Sequence, residues 1–115
     1  MTPKETLLRE VLDRIADKWT LLVIEELQLD TPTRFSVLQR KVGGVSQKML
    51  TKTLRQLERD GLVTRTVHAE VPPRVEYRLT RLGNSLGEAV CGLWVWVEKH
   101  LNTVARARQG FDGRA

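Results

Sequence analysis

A face of positively charged residues at helical spacing is the part of this sequence best suited to bind a charged ligand. Four cations fall within one sector of a helical wheel at about 100° per residue. They are Lys48, Lys52, Arg55 and Arg59. The leucines of the same segment recur on the opposite face, at positions 50, 54 and 57. Lysine and arginine neutralise phosphates, and arginine also donates hydrogen bonds to base edges. The segment therefore has the chemistry of a nucleic-acid-binding helix.

A solvated surface helix is the alternative interpretation, because lysine and arginine also promote solubility. Such a surface usually mixes acidic and basic residues, whereas Glu58 and Asp60 lie toward the flank and the C-terminal end. The wider charge distribution favours nucleic acid. Residues 34–81 hold eleven cations and four anions, a net charge of +7, whereas residues 1–33 carry −3 and residues 82–115 carry +1. The positive field is therefore concentrated around the basic helix.

The residues on either side of this helix predict a helix-turn-helix over residues 36–61. Ser46 is placed to be its N-cap, and Gly61 lies where a helix end favours a residue that tolerates positive φ. Upstream, Ser36 and Gln39 match a capping box that opens a short helix ending near Val42. The Gly-Gly pair at positions 43 and 44 supplies the turn between the two helices.

After Gly61 the apolar pattern changes from helical to alternating, which predicts two strands within residues 62–79. The first contains Val63 and Val67, and the second contains Val75 and Leu79. Residues 69–73 join them and contain two prolines, which cannot donate ladder hydrogen bonds and belong at a hairpin tip. A hairpin directly after a helix-turn-helix is the wing of a winged helix.

The N-terminal third of the chain predicts two further helices. Thr2 is placed to cap an amphipathic helix within residues 1–16, and Asp17 to cap a second that ends near Leu27. Residues 30–33 predict a turn, and residues 34–35 a short strand.

A long helix is predicted to begin after its N-cap Thr80 and to end near Val104, within residues 80–105. Residues 106–115 are predicted to be a flexible tail. Its apolar stripe is wide enough to predict a dimer interface shared with the N-terminal helix; packing onto its own domain is the alternative. The predicted interface residues are Leu8, Leu12, Leu86, Val90, Leu93, Trp94, Trp96, Val97 and Leu101.

Other classes of function find little support in the sequence. With 115 residues we expect one domain, mainly α with a small β-hairpin. No apolar run reaches the roughly 18 residues of a membrane span, and the start of the sequence has no signal-peptide pattern, which predicts a cytoplasmic protein. His68 and His100 lie in unrelated elements, and Cys91 has no basic neighbour in sequence. We therefore predict no catalytic residues, no metal and no cofactor, and hence no enzyme.

Several segments resemble the HxlR-type winged helix-turn-helix regulators of bacteria and archaea. They are residues 18–22, 34–38, 44–51, 54–63, 70–77 and 79–80. The resemblance implies a homodimeric transcription regulator, usually a repressor, whose terminal helices form the dimer. Members that sense electrophiles or disulfide stress often carry a cysteine at the position that Thr6 occupies here, so the resemblance does not extend to that thiol switch.

We therefore expect a homodimer that binds double-stranded DNA. The candidate contacts are Ser46, Gln47, Lys48, Thr51, Lys52 and Arg55 on the second helix, His68 and Arg74 on the wing, and Arg34 and Arg40 as further phosphate contacts. A winged helix that binds only other proteins is the alternative, although such modules typically lose the basic face. No membrane partner is expected, and a small-molecule effector is possible but not indicated.

Overall fold

A computed structural model describes residues 1–28 and 31–114. These residues form five helices and one small sheet. The elements are α1 Pro3–Ile15, α2 Lys18–Leu27, β1 Thr33–Arg34, α3 Phe35–Val42, α4 Gln47–Arg59, β2 Val63–His68, β3 Arg74–Leu79 and α5 Arg81–Asp112. This arrangement confirms the predicted fold class, a mainly helical winged helix-turn-helix. None of the helices in the described ranges is long and apolar enough to cross a membrane.

Four helices begin at the side-chain caps that the sequence predicts. Thr2 accepts a hydrogen bond from the Glu5 backbone N–H, and the Glu5 carboxylate accepts one from Thr2 in return, which completes a capping box. Three further caps satisfy backbone N–H groups at the start of their helices, each at 3.0 Å. They are Asp17 in α2, Ser46 in α4 and Thr80 in α5.

The predicted capping box at Ser36 is wrong. The N-cap is Arg34, two residues before Ser36, so α3 begins at Phe35, and Arg34 makes no side-chain capping hydrogen bond. Arg34 belongs to β1 and pairs with Glu76 of β3, so the sheet fixes where the chain can enter the helix. A long-range strand pairing thus overrides the local signal. Part of the turn predicted at residues 30–33 lies outside the described residues.

The C-terminal helix is longer than its sequence predicts. Helix α5 continues to Asp112, through the region predicted as a flexible tail from residue 106. This region contains alanine and arginine, both strong helix formers, and its one interior glycine, Gly110, weakens a helix without ending it.

The sheet has three antiparallel strands in the order β1-β3-β2. The predicted hairpin is confirmed, with Val63 paired to Leu79 at its base and His68 paired to Arg74 next to its tip. Strand β1 adds a short third strand, in which Thr33 pairs with Tyr77. The pairing anchors the start of α3 to the wing, so the two halves of the winged helix are held together.

The hydrophobic core lies between α2, α3, α4, the sheet and the first half of α5. Its fully buried apolar residues are Val23, Ile24, Leu38, Leu50, Leu54 and Leu57. Val90 belongs to this core as well, since only 3 % of it is exposed, so its assignment to the dimer interface is wrong. Leu86 and Trp94 also pack against the core of their own protomer. Leu86, Val90 and Trp94 are spaced four residues apart, so they lie on one face of α5. This face packs against α2.

Replacing Gly83 with alanine is expected to destabilise the fold by about 1–3 kcal/mol, the usual cost of overpacking a core. A Cβ atom at this position would lie 2.0 Å from the backbone oxygen of Leu62, which cannot move without disturbing the end of α4 and the start of the wing. Gly92 on the same helix is the matched control, because nothing lies within 4 Å of a Cβ there. Its replacement by alanine should stabilise the helix by roughly 0.5–1 kcal/mol. Urea unfolding of both variants measures the difference, and equal stabilities would contradict this account of Gly83.

Candidate nucleic-acid interface

Helix α4 buries its leucines and exposes its cations, as its sequence predicts. Leu50, Leu54 and Leu57 are essentially inaccessible to solvent. The predicted contact residues of this element are all exposed, and they are Ser46, Gln47, Lys48, Thr51, Lys52 and Arg55. None of the cations among them has an ion-pair partner within the described part of the chain. Within the described residues, the positive charge of this face is therefore not neutralised by an ion pair.

The C-terminal end of α4 is closed by backbone hydrogen bonds beside the core. At the C-terminal end Gly61 has a φ of +77°, and Leu62 N–H donates to the Leu57 carbonyl at 2.9 Å while Gly61 N–H donates to the Glu58 carbonyl at 3.1 Å. This pair of hydrogen bonds is a Schellman motif, and it buries Leu57 and Leu62 together. The motif therefore fixes the C-terminal end of α4 where the chain turns into the wing.

A concave groove lies between α4 and the wing. We call it the wing groove; its volume is about 540 Å³. The residues that line it are Arg34, Phe35, Ser36, Gln47, Thr51, Arg65, Tyr77 and the segment 70–75. The rings of Phe35 and Tyr77 contact each other with centroids 6.5 Å apart, so an aromatic pair supports the groove. The groove brings together four of the predicted contacts, which are Arg34, Gln47, Thr51 and Arg74. Arg40 is exposed on α3 and does not line it.

Arg65 is a groove residue that is absent from the predicted contacts. It is exposed on β2 and lines the wing groove together with Gln47 and Thr51. Its cross-strand partner is the buried Tyr77, whose side chain lies on the same face of the sheet and lines the same groove. The strand alternation did place Arg65 in the wing, but nothing in the local pattern indicates that its side chain lines the same groove as α4.

The two predicted wing contacts are engaged with carboxylates. We call His68, Glu70, Arg74 and Glu76 the wing cluster. Arg74 Nη2 lies 3.3 Å from Glu70 Oε1, Arg74 Nε lies 3.3 Å from Glu76 Oε1, and His68 Nε2 contacts the same Glu76 oxygen. The Arg74 Nε atom is buried, and its N–H makes no hydrogen bond within the described residues. The charge on Arg74 is therefore balanced within the wing.

The terminal helices expose a broad apolar surface. Helix α1 has no buried residue, and its C-terminal end is joined to α4 by an ion pair of 2.8 Å between Arg14 Nε and Asp60 Oδ2. Of the predicted interface residues, five are exposed and Val97 is half-buried. The exposed residues are Leu8, Leu12, Leu93, Trp96 and Leu101. The neighbouring Leu7 and Val11 extend this surface along α1.

No group of three or more metal-ligating side chains occurs in residues 1–28 and 31–114. The Cys91 thiol is exposed, and its Sγ lies 3.0 Å from the Gln28 side-chain oxygen. The shallow cavity that contains it is lined by Gln28, Asn84, Gly87 and Glu88. A carboxylate and neutral groups therefore surround this thiol, and the cavity has no cation.

Comparison with known proteins agrees with this geometry. The family model described as the HxlR-like helix-turn-helix matches residues 14–105. The HTH-type transcriptional regulator YtfH of Escherichia coli is 45 % identical over 100 residues, which cover 87 % of this chain and 79 % of that protein.

Solved structures give the same result. The transcriptional regulator ytfH from Salmonella typhimurium superposes with a TM-score of 0.82 at 44 % identity, over 88 % of this chain and 89 % of its own. The redox regulator HypR in its reduced form superposes with a TM-score of 0.78 at 35 % identity, over 86 % of this chain and 97 % of its own. The chain therefore belongs to the HxlR-like helix-turn-helix family of transcriptional regulators.

Proposed function

We propose that this protein is a homodimeric repressor that binds a symmetric operator in double-stranded DNA. One observation carries the proposal: α4 exposes cations that have no ion-pair partner among the described residues, and its Gln47 and Thr51 line a concave groove bounded by the wing. A convex basic helix enters a major groove, and a wing next to it contacts the adjoining backbone. The repressor role rests on the resemblance to HxlR-type regulators, which are usually repressors.

The residues of α4 divide into two proposed roles. Gln47 and Thr51 lie near the helix N-terminus, the end of a recognition helix that usually reaches base edges. A glutamine can form two hydrogen bonds with adenine, and the threonine methyl can contact thymine. The Thr51 hydroxyl donates to the Gln47 carbonyl at 2.8 Å, which leaves its methyl group free for such a contact. Lys48, Lys52 and Arg55 supply phosphate contacts, with Arg34 and Arg40 as further candidates.

The proposed dimer forms through α1 and the exposed side of α5. Trp96 is 55 % exposed in the protomer and is the largest apolar side chain on this surface. Covering the rest of such a ring removes roughly 100 Å² from water, about 2–3 kcal/mol at roughly 25 cal/mol per Å². Several such groups from each protomer are enough to favour association. Two-fold symmetry would place the two α4 helices in successive major grooves about 34–36 Å apart.

A winged helix that binds only proteins is the second candidate, and salt dependence separates the two. Neutralising phosphates releases counterions, so DNA affinity must fall steeply with salt. We expect fluorescence anisotropy to show that binding to a labelled duplex weakens by at least 100-fold between about 50 and 200 mM salt, as several phosphate contacts per dimer require. Affinity that does not change with salt would contradict the proposal.

The DNA affinity is expected to be nearly insensitive to diamide or quinone treatment. The reactive form of cysteine is the thiolate, which nearby cations favour, and the cavity around Cys91 contains Glu88 and no cation. By the family resemblance, Thr6 occupies the position at which thiol-switching members often carry a cysteine. Anisotropy before and after oxidant measures the effect, with Cys91→Ser as the control. A large loss of affinity that Cys91→Ser abolishes would contradict this prediction and assign the thiol a regulatory role.

A further inference from the structure

We propose that the cations of the wing have two separate roles in DNA binding. Arg65 contacts a backbone phosphate of a DNA strand that lies in the wing groove, and Arg74 is a positioning residue that holds the wing in shape. The inference rests on the proposed function and concerns the same surface. It replaces the sequence-based assignment of Arg74 as a direct DNA contact.

Arg65 has the location and the freedom that a phosphate contact needs. It lines the wing groove together with Gln47 and Thr51, so a strand followed by α4 would pass close to its guanidinium group. No carboxylate in the described part of the chain pairs with it. Its strand is fixed by the register with Tyr77, which is buried against Phe35. The cation can therefore bind an anion without giving up an internal partner.

Arg74 lacks that freedom. Its Nη2 and Nε atoms each lie 3.3 Å from a carboxylate oxygen, and Nε is closed off from solvent. Glu76 has only 17 % of its side chain exposed, so turning Arg74 toward a phosphate would leave a largely buried carboxylate with His68 as its sole neighbour in the wing cluster. Leaving a buried charge without its partner is unfavourable. Arg74 is therefore held inside the wing.

The wing cluster has a mechanical consequence for the groove. The ion pair between Glu70 and Arg74 spans the tip of the hairpin, Val71-Pro72-Pro73, which forms part of the groove lining. The two prolines have no N–H to donate, so backbone hydrogen bonds can do little to fix this tip. The side-chain ion pairs thus determine how the tip is held against the groove, and weakening them should affect DNA binding without removing a phosphate contact.

Anisotropy titrations of a selected duplex across a salt series test this division with four single variants. Arg65→Ala should weaken binding roughly tenfold near 0.1 M salt and lower the salt slope by about 1 per protomer, as expected for the loss of one phosphate contact. Arg74→Ala should weaken binding several-fold with an unchanged slope. Glu76→Gln is the decisive variant. It removes a negative charge from the wing, so long-range electrostatics alone would tighten binding, whereas loss of the wing cluster would weaken it.

Lys52→Ala serves as the reference, because it tests the proposed function and does not touch the wing. If Lys52→Ala lowers the slope and Arg65→Ala does not, the role of Arg65 is overturned while DNA binding by α4 stands. If Arg74→Ala lowers the slope by about 1, or Glu76→Gln tightens binding, Arg74 is a direct phosphate contact and its positioning role is overturned. If the wild-type protein shows no salt-dependent binding to duplex DNA, the proposed function itself fails. Circular dichroism of each variant verifies that the fold is retained.

Discussion

Replacing Leu93 with glutamate is expected to give a folded monomer that binds the operator at least about 100-fold more weakly than the wild-type protein. Leu93 is 50 % exposed in the protomer, so a charge there leaves the core intact. In the proposed dimer the same charge would be buried without a partner, which is strongly unfavourable. A dimer that binds both half-sites at once has an affinity roughly 10²–10⁴ times higher than one protomer bound to one half-site, and a monomer loses this advantage.

Two further variants make this experiment specific. Asn102→Glu adds the same charge to the same helix at an exposed position about 180° around from Leu93, and it should leave the dimer unchanged. Val90→Glu places the charge in the core of the protomer and should unfold it. Sedimentation velocity and circular dichroism distinguish the three outcomes. A wild-type protein that is monomeric at micromolar concentration, or a Leu93→Glu variant that stays dimeric, would contradict the proposed interface.

The double replacement of Lys52 and Arg55 with alanine is expected to lower operator affinity by roughly 100-fold per protomer near 0.1 M salt, because each lost phosphate contact removes about 0.9 from the salt slope. If Arg55 contacts a base, its loss should also cost roughly 1–3 kcal/mol of binding free energy and relax the base preference at one position of the operator. Both side chains are exposed opposite the buried leucines, so the free energy of unfolding should change by less than about 0.5 kcal/mol.

Arg108→Ala provides the control for this loss of charge. It removes an exposed cation from the distal part of α5, and it should change the affinity little if the effect of the double variant is local. An unchanged affinity and slope in the Lys52 and Arg55 double variant, measured by anisotropy, would remove α4 from the DNA interface.

Local signals made much of this fold predictable from its sequence. Ser46 and Thr80 start their helices as predicted, because a capping hydrogen bond depends on residues within one turn. Gly61 ends α4 for a similar reason, since only a residue that tolerates positive φ fits that position well. The two strands between Val63 and Leu79 alternate apolar and polar residues, as strands with one buried face do. This alternation identified the wing.

Features that depend on distant partners could not be predicted in this way. Ser36 matches a capping box, but the pairing of Arg34 with Glu76 sets the start of α3. Val90 fits the α5 stripe, yet it packs into its own core because of the position of α2. The sequence shows that Arg74 is basic and near a hairpin tip, but it does not show that Glu70 and Glu76 surround it.

Selection of bound fragments from a pool of random duplexes tests the central claim most directly, because it demands both DNA binding and sequence preference from the dimer. We expect enrichment of two inverted half-sites whose centres lie about 10 base pairs apart, or one helical turn. Binding of the enriched duplex should fall steeply with salt and should exceed binding of a scrambled duplex by at least about 10³-fold. Failure to enrich any sequence from the pool, with salt-independent binding of what is retained, would contradict the assignment of α4 and the wing as a sequence-specific DNA interface.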